Sequence, residues 1–134
     1  MVTQLLFGEI VEILERSGKK WHKVRCSWDD YVGWVSQKQL LPLTGEEVRQ
    51  YKESYARSLE ISQPAVHDEH FLPLTMGAVL PMYDGLSFQF PAHPYQFSGQ
   101  CVYPGEVSCS AELLIKIARR YLYAPYLWGG RSPF

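Results

Sequence analysis

Two neighbouring segments decide the fold of this chain: Trp21-His-Lys-Val-Arg-Cys26 and Tyr31-Val-Gly-Trp-Val35. In the first, Trp21, Val24 and Cys26 alternate with polar residues, and the second follows an acidic turn. Upstream, residues 9–15 mix apolar residues with glutamates, and residues 17–19 supply a turn. Three short strands at a spacing of about ten residues predict a small barrel or sandwich.

A helix and a second β region follow this unit. Thr44-Gly-Glu-Glu47 has the pattern of a capping box and predicts a short connecting helix over residues 45–54. Residues 55–107 are strand-like but interrupted by many prolines, which favour short edge strands and turns. We therefore predict a second β unit that is less regular than the first.

The C-terminal part predicts an amphipathic helix over Ala111–Tyr123, capped by Ser108 or Ser110 and ended by Pro125. Its apolar positions fall on one helical stripe: Leu113, Leu114, Ile117, Ala118, Tyr121 and Leu122. After this helix the sequence contains a tyrosine, a tryptophan and two adjacent glycines within residues 126–134.

Composition excludes several classes of protein. The 134 residues are 46% hydrophobic and 20% charged, which is typical of a globular chain and not of a disordered one. A net charge of -1 and the lack of a basic cluster argue against nucleic-acid binding. The sequence has no apolar run long enough for a membrane span and no visible export signal. The compartment stays open between the cytoplasm and the periplasm or cell wall of a bacterium.

Two stretches resemble the NlpC-type family of cysteine peptidases. Residues 2–9, Trp21–Val24 and Asp30–Val35 resemble the bacterial SH3-like domain that precedes the catalytic domain in many members. Residues 118–134 are similar to the family's opening helix and its Tyr-x-Trp-Gly-Gly turn. The resemblance predicts a mainly β fold, with two small SH3-like units and two helices. We expect a first SH3-like domain at 1–43, a connector helix at 44–54, a second unit at 55–107, and the start of a peptidase domain at 108–134.

The resemblance also implies a function. In that family a Gly-x-Asp-Cys-Ser-Gly motif follows the turn and carries the nucleophile, so we expect no catalytic residue within this chain. The implied substrate is the bond between D-glutamate and a diamino acid in peptidoglycan stem peptides. The implied partners are that stem peptide and the remainder of the peptidase domain, with no cofactor. The implied rim of the active site consists of Tyr126, Trp128, Gly129, Gly130 and Arg131.

In SH3-bearing relatives, a tyrosine and an acidic residue help to hold the free amine of the substrate's L-alanine. Tyr31 matches that tyrosine best, and the acidic partner is Asp29, Asp30, Glu9 or a residue before Met1. Strand alternation places Trp34 on the face opposite Tyr31, so we expect one ring in the core and the other at a ligand. The candidate substrate-binding residues are Tyr31, Asp30, Asp29 and Trp34.

The cysteines and histidines allow competing interpretations. Cys109 stands at a predicted helix start but precedes the Trp-Gly-Gly turn, which is the wrong order for the family's nucleophile. Cys26 is expected in the core, and Cys101 is a possible disulfide partner of Cys109. His67-Asp-Glu-His70 could chelate a metal, but flanking prolines favour a solvated acidic turn, so we predict no metal site.

Two other classes of function compete with a part of a peptidase. A stand-alone SH3-like module would bind peptides or the cell wall without catalysis. A structural spacer would bind nothing. The sequence beyond Phe134 separates the first two hypotheses, because only a peptidase needs an Asp-Cys-Ser-Gly motif there.

Overall fold

The fold is mainly β, as the sequence predicts. The computed structural model describes residues 2–91 and 93–133. Ten strands lie in these ranges: β1 Val11–Ser17, β2 Trp21–Cys26, β3 Val32–Ser36, β4 Tyr55–Ser58, β5 Ser62–His67, β6 His70–Thr75, β7 Val79–Pro81, β8 Ser87–Phe90, β9 His93–Gln96 and β10 Cys101–Val102. The two α-helices are α1 Gly45–Glu53 and α2 Ala111–Arg119, and a 3-10 turn spans Gln37–Gln39.

Strands β1, β2 and β3 form one antiparallel sheet in chain order. Its buried face carries His22, Val24 and Cys26, because alternate residues of a strand point to the same side. Trp21 therefore lies on the other face and is half-exposed. The sequence pattern had grouped Trp21 with Val24 and Cys26; the strict two-residue period puts His22 in its place.

Helix α1 connects the two β regions and begins at the predicted capping box. The Thr44 hydroxyl accepts a bond from the Glu47 amide at 3.2 Å, and the Glu47 carboxylate accepts from the Thr44 amide at 2.7 Å. Tyr51 is the buried residue of this helix. The predicted helix ended one residue later, at Ser54, which is the C-cap.

The main hydrophobic core lies in the second β region. Two antiparallel sheets, ordered β10-β4-β7 and β6-β5-β9-β8, enclose it. The core consists of Ala56, Ala65, Leu74, Ala78, Leu80, Tyr83, Phe88 and Phe97. The region that looked less regular in sequence therefore holds the largest share of the buried apolar side chains in the described residues.

Residues 2–10, which we call the N-terminal segment, cross from the first sheet to the second region. The Phe7 carbonyl accepts a hydrogen bond from the Val79 amide at 2.8 Å. The Phe7 ring packs against Phe88 and Phe90, with centroid distances of 5.8 and 5.1 Å. Gly8 has a φ of 77°, and a β-carbon there would collide with the Val79 carbonyl, so only glycine fits.

Helix α2 is shorter than the predicted span of Ala111–Tyr123. Ser110, one of the two proposed caps, accepts from the Leu113 amide, and the helix ends at Arg119. The next three residues tighten into i→i−3 turns, and Tyr123 has a φ of 71°, which a regular helix cannot accommodate. None of the helices in the described ranges is long and apolar enough to cross a membrane.

The apolar stripe of α2 is divided between protein and solvent. Leu113, Ile117 and Tyr121 are half-buried, whereas Leu114 and Leu122 are exposed. Arg120 fixes the end of the helix to the second β region. Its Nη1 donates to the Leu59 carbonyl at 2.6 Å, and its Nη2 donates to Gln100 Oε1 at 2.8 Å.

Candidate functional site

The residues after the Trp-Gly-Gly turn return to the N-terminal segment and are held there by an ion pair. Arg131 Nη2 lies 2.6 Å from Glu9 Oε1, and Arg131 Nη1 lies 2.8 Å from Glu9 Oε2. This is the bidentate geometry in which guanidinium and carboxylate bind most strongly. The two stretches that carry the sequence resemblance thus contact each other directly.

The Glu9 carboxylate is almost completely removed from solvent, since its side chain is 1% exposed. It also accepts the Leu6 amide at 3.0 Å, so three donors compensate its burial. The hydrogen bonds to Glu9 raise the pKa of Arg131, burial opposes that shift, and the charges of Glu9 and Asp29 add to it. Arg131 is therefore a permanent cation at the edge of this site.

Hydrogen bonds between backbone and side-chain atoms complete the attachment of residues 126–133, which we call the tail. The Arg131 amide donates to Gln4 Oε1 at 2.7 Å, and Arg131 Nη1 donates to the Gln4 carbonyl at 2.9 Å. Gly129 has a φ of 75° and lies against the Val2 carbonyl, where any side chain would collide. One of the paired glycines is thus required for a close approach of two backbones.

Tyr31 and Asp29 form a tight turn at the start of β3. Asp29 Oδ1 accepts the Tyr31 amide at 3.1 Å, and Asp30 adopts a φ of 56°. The Tyr31 ring lies over Gly33, 3.5 Å from where a β-carbon would stand. Tyr31 is 41% exposed and Asp29 is exposed as well, so the turn presents both a phenol and a carboxylate at the surface.

A groove of about 1430 Å³ joins these groups. Asp29 and Tyr31 line it from the first sheet, Glu9 from the N-terminal segment, and Arg131 and Ser132 from the tail. Among the predicted site residues, Asp29, Tyr31, Trp34 and Arg131 line this groove.

Trp34 contributes to the groove from another face of β3 than Tyr31, and the remaining predicted site residues do not line it. Trp34 pairs with Lys23, so its side chain lies on the face of β3 opposite Tyr31. It is 50% exposed, so the expectation that one of the two rings packs in the core is wrong: both are partly open to solvent. Asp30 follows Asp29 in the turn before β3 but does not line the groove. In the tail, Tyr126 and Trp128 are strongly exposed. The Gly130 amide donates to the Leu127 carbonyl and ends the Trp-Gly-Gly turn.

Glu9 was one of three acidic candidates within the chain for the partner of Tyr31. The structure pairs its carboxylate with Arg131, and both Glu9 and Asp29 line the groove with Tyr31. Sequence reasoning could not have found this pair, because its members are 122 residues apart. It also missed the contact of Trp28 with Arg57, whose guanidinium carbon lies 4.6 Å from the indole ring centre.

The three cysteines are free thiols, so the possible disulfide between Cys101 and Cys109 is not formed. Cys26 is buried in the first sheet, as predicted, and burial raises its pKa. Burial likewise raises the pKa of the half-buried Cys101 thiol. Since the thiolate is the nucleophilic form, both residues are poorly suited to attack a carbonyl carbon. Cys109 is exposed just before α2.

His67 and His70 pair across the turn between β5 and β6. The His67 Nδ1 donates to the Pro94 carbonyl at 2.9 Å, and its ring stacks on His93 with a centroid distance of 4.6 Å. Asp68 and Glu69 are exposed in the turn, which agrees with the solvated acidic turn. Within residues 2–91 and 93–133, no group of three or more His, Cys, Asp or Glu residues could hold a metal ion.

Comparisons with known proteins relate the first β unit and the whole fold to known structures. Residues 1–40 match the family described as the bacterial dipeptidyl-peptidase Sh3 domain. The whole fold is similar to a crystal structure of an NlpC/P60 family protein from Bacillus cereus, with a TM-score of 0.79 and 22% identity. That similarity covers 99% of this chain and 50% of the other, so the chain spans about half the length of its structural relative. No curated protein matches the sequence.

The sequence match covers the first β unit, and the structural match extends the shared fold through the second unit, α2 and the tail. The first unit is thus similar to a peptidase-associated bacterial SH3 domain. Together, the two comparisons confirm the predicted resemblance of this chain to the SH3-like region of an NlpC-type peptidase.

Proposed function

We propose that this chain is the substrate-gating part of a cysteine peptidase that hydrolyses the bond between γ-D-glutamate and a diamino acid in peptidoglycan stem peptides. One observation carries the proposal: the Tyr31–Asp29 turn and Arg131 of the Trp-Gly-Gly tail line the same groove. In the proposed enzyme, the nucleophilic cysteine follows Phe134. The catalytic domain would therefore lie on the side of the groove that the tail lines.

The chemistry of the turn suits an ammonium group. Asp29 Oδ1 accepts the Tyr31 amide, and the Cys26 thiol also interacts with this carboxylate. An ionised carboxylate has about four acceptor sites, so the exposed Asp29 can also accept from a ligand. Tyr31 is 41% exposed, so its phenol oxygen can accept a bond from a ligand. A carboxylate supplies the charge and a phenol supplies a second acceptor, which are two of the partners that an ammonium needs.

A free peptide N-terminus carries such an ammonium group. An enzyme that requires it would accept stem peptides already released from the glycan and would reject those whose L-alanine is still in amide linkage. This restriction would protect the intact wall from uncontrolled hydrolysis. The first SH3-like unit would therefore act as a specificity filter and not only as a spacer.

The test is Tyr31→Phe in the protein that carries the catalytic domain. We expect KM for L-Ala-γ-D-Glu-diaminopimelate to rise at least about tenfold, because a hydrogen bond to a charged group contributes about 1.5–3 kcal/mol. The Asn variant of Asp29 should show a larger increase, since it removes the charge. N-acetylated substrate should be poor for the wild type and should lose nothing further in either variant.

Tyr123→Phe is the matched control, because Tyr123 is fully exposed and lies outside the groove. It should leave KM unchanged, and Tyr31→Phe should leave the melting temperature unchanged. A lowered melting temperature with unaltered kinetics would assign the Tyr31 phenol to the fold and remove it from substrate recognition.

One observation favours wall binding without catalysis as a second candidate function. Trp21 and Trp34 lie on the outer face of the first sheet and are 51% and 50% exposed. The register pairs Trp34 with Lys23 and Trp21 with Ser36, so the two indoles are diagonal neighbours. If this face binds wall polymer, Trp21→Ala should abolish co-sedimentation of the chain with insoluble peptidoglycan. Equal sedimentation of the variant and the wild type would reject this candidate.

A further inference from the structure

We propose that Glu9 and Arg131 form a clamp that sets the position of the Trp-Gly-Gly turn relative to Tyr31 and Asp29. The clamp is a property of the described chain, and its effect on ligand binding rests on the proposed function. In that function Glu9 and Arg131 are positioning residues, because they act on the amine site through the backbone of the tail.

Polar contacts, not apolar burial, attach the tail to the rest of the chain. Tyr126, Leu127 and Trp128 are 83%, 58% and 72% exposed, so their side chains contribute little buried area. Directly after them, Arg131 makes four hydrogen bonds to Glu9 and Gln4, and the Ser132 amide makes a further bond to Gln4. The position of the tail therefore depends on a few directional bonds.

These bonds define a single arrangement because each partner is already restrained. Glu9 accepts the Leu6 amide, and the N-terminal segment is fixed on the second β region by Phe7 and Gly8. A buried ion pair contributes little net stability when compared with apolar residues, but loss of one partner leaves an uncompensated charge. The pair is thus better explained as a determinant of geometry than as a source of stability.

The clamp also controls the charge of the groove. Arg131 shares the groove with Asp29, and the charge of Asp29 acts on it. If Arg131 were released from Glu9, it could bind Asp29, the other carboxylate that lines the groove. Asp29 would then be neutralised and unable to attract an ammonium group. By binding Arg131 through both oxygens, Glu9 keeps Asp29 available.

The experiment compares Glu9→Gln with the wild-type chain of 134 residues by hydrogen exchange. We expect the amides of residues 129–132 to exchange about tenfold faster or more in the variant, since one partner of a buried pair is lost. The amides of β2 should keep their protection. Arg131→Lys keeps the charge and one bond, so its exchange should fall between the wild type and Arg131→Gln.

Glu12→Gln is the matched control, because it removes an ion pair that is exposed, with side chains 47% and 65% accessible for Arg25 and Glu12. It should leave exchange in the tail unchanged, since exposed pairs contribute little. Unchanged exchange in Glu9→Gln would overturn the clamp. Loss of β2 protection together with the tail would also overturn it, because Glu9 would then act on the whole fold.

A second measurement addresses the ligand. NMR titration with L-Ala-γ-D-Glu and its N-acetyl form gives the preference for a free amine, which should fall at least about threefold in Glu9→Gln. Tyr31→Phe should reduce the preference while leaving tail exchange unchanged. A preference that Tyr31→Phe does not alter would contradict the proposed amine site alone, whereas faster tail exchange in Glu9→Gln would still establish the clamp.

Discussion

Two glycines of similar backbone conformation show how single residues restrict this fold. Gly8 and Gly18 both have positive φ values, of 77° and 58°. A side chain at Gly18 would meet open space, whereas one at Gly8 would collide with the Val79 backbone. The sequence shows both as glycines in plausible turns, and only the tertiary contact distinguishes them.

The first prediction compares alanine at these two positions. Gly18→Ala should lower the free energy of unfolding by about 1–2 kcal/mol, which is the cost of a left-handed conformation for a residue with a β-carbon. Gly8→Ala should cost clearly more, because the N-terminal segment must also move away from β7. Urea denaturation measures both, and equal losses would show that the contact with Val79 contributes nothing.

The second prediction concerns the thiols. Alkylation of the native chain should label Cys109 first, Cys101 more slowly and Cys26 last, in the order of their exposure. The raised pKa values of Cys101 and Cys26 slow both further near neutral pH, because less thiolate is present. Mass spectrometry of the labelled peptides gives the order, and rapid labelling of Cys26 would contradict its place in the core.

The third prediction tests whether this chain is catalytic by itself. No release of diamino acid from L-Ala-γ-D-Glu-diaminopimelate is expected from the isolated chain, since an exposed thiol without a partnered base is a weak nucleophile. Turnover that disappears in Cys109→Ser would instead make Cys109 the nucleophile and would reverse our interpretation.

Among the elements, the two helices differ in what stabilises them. Helix α1 has a capping box and a buried tyrosine, whereas α2 has a single serine cap and no buried residue. The local sequence predicted the start of α1 correctly because the cap bonds are made within four residues. The end of α2 was predicted four residues too late, because the apolar stripe continues through residues that form turns.

The fourth prediction follows from the cap of α1. The bonds from the Thr44 amide and hydroxyl lower the pKa of Glu47 below its ordinary value of 4.5. A carboxyl with a depressed pKa in the folded state stabilises the protein above its unfolded pKa, and this stability is lost as the pH falls through the folded pKa. Wild type should therefore lose more stability than Glu47→Gln between about pH 5 and pH 3.

Thermal denaturation over that range, with Glu53→Gln as control on the same helix, measures the difference. Asp84 also has a pKa lowered by hydrogen bonds, from the amides of Ser87 and Leu86. Some acid sensitivity should thus remain in Glu47→Gln. Parallel pH profiles for the wild type and Glu47→Gln would show that the cap bond does not contribute.

At the scale of the whole molecule, the C-terminal end exposes a group of large apolar side chains. Leu114, Ile115, Leu122, Leu127 and Trp128 are all more than half exposed. In a peptidase of the proposed type, this surface would be covered by the rest of the catalytic domain. The division into units at 1–43, 44–54, 55–107 and 108–134 stays a prediction. The N-terminal segment contacts both the second region and the tail.

The fifth prediction is that the chain of 134 residues self-associates through this surface. Exposed apolar patches of this kind tend to find partners, so sedimentation velocity should show reversible dimers or larger species at concentrations of tens of micromolar. Leu114→Lys with Ile115→Lys should shift the distribution to monomer. A wild-type chain that stays strictly monomeric at these concentrations would reject the prediction.

The sequence by itself determined the local elements: the three strands of the first sheet, the capped connector helix, the serine-capped α2 and the mainly β character. These features depend on two-residue and 3.6-residue periods and on caps, which are properties of neighbouring residues. It also singled out Asp29, Tyr31, Trp34 and Arg131 as candidate site residues. Their common placement in one groove was decided by the tertiary structure.

Only the tertiary structure paired Glu9 with Arg131, because the two residues are brought together by the packing of the N-terminal segment and not by any local pattern. It also decided that the largest core lies in the proline-rich second region. A period in the sequence shows which face of a strand is apolar, but the burial of that face depends on what packs against it. For the same reason Trp21, which looked like a core residue, remains half-exposed on the outer face of the sheet.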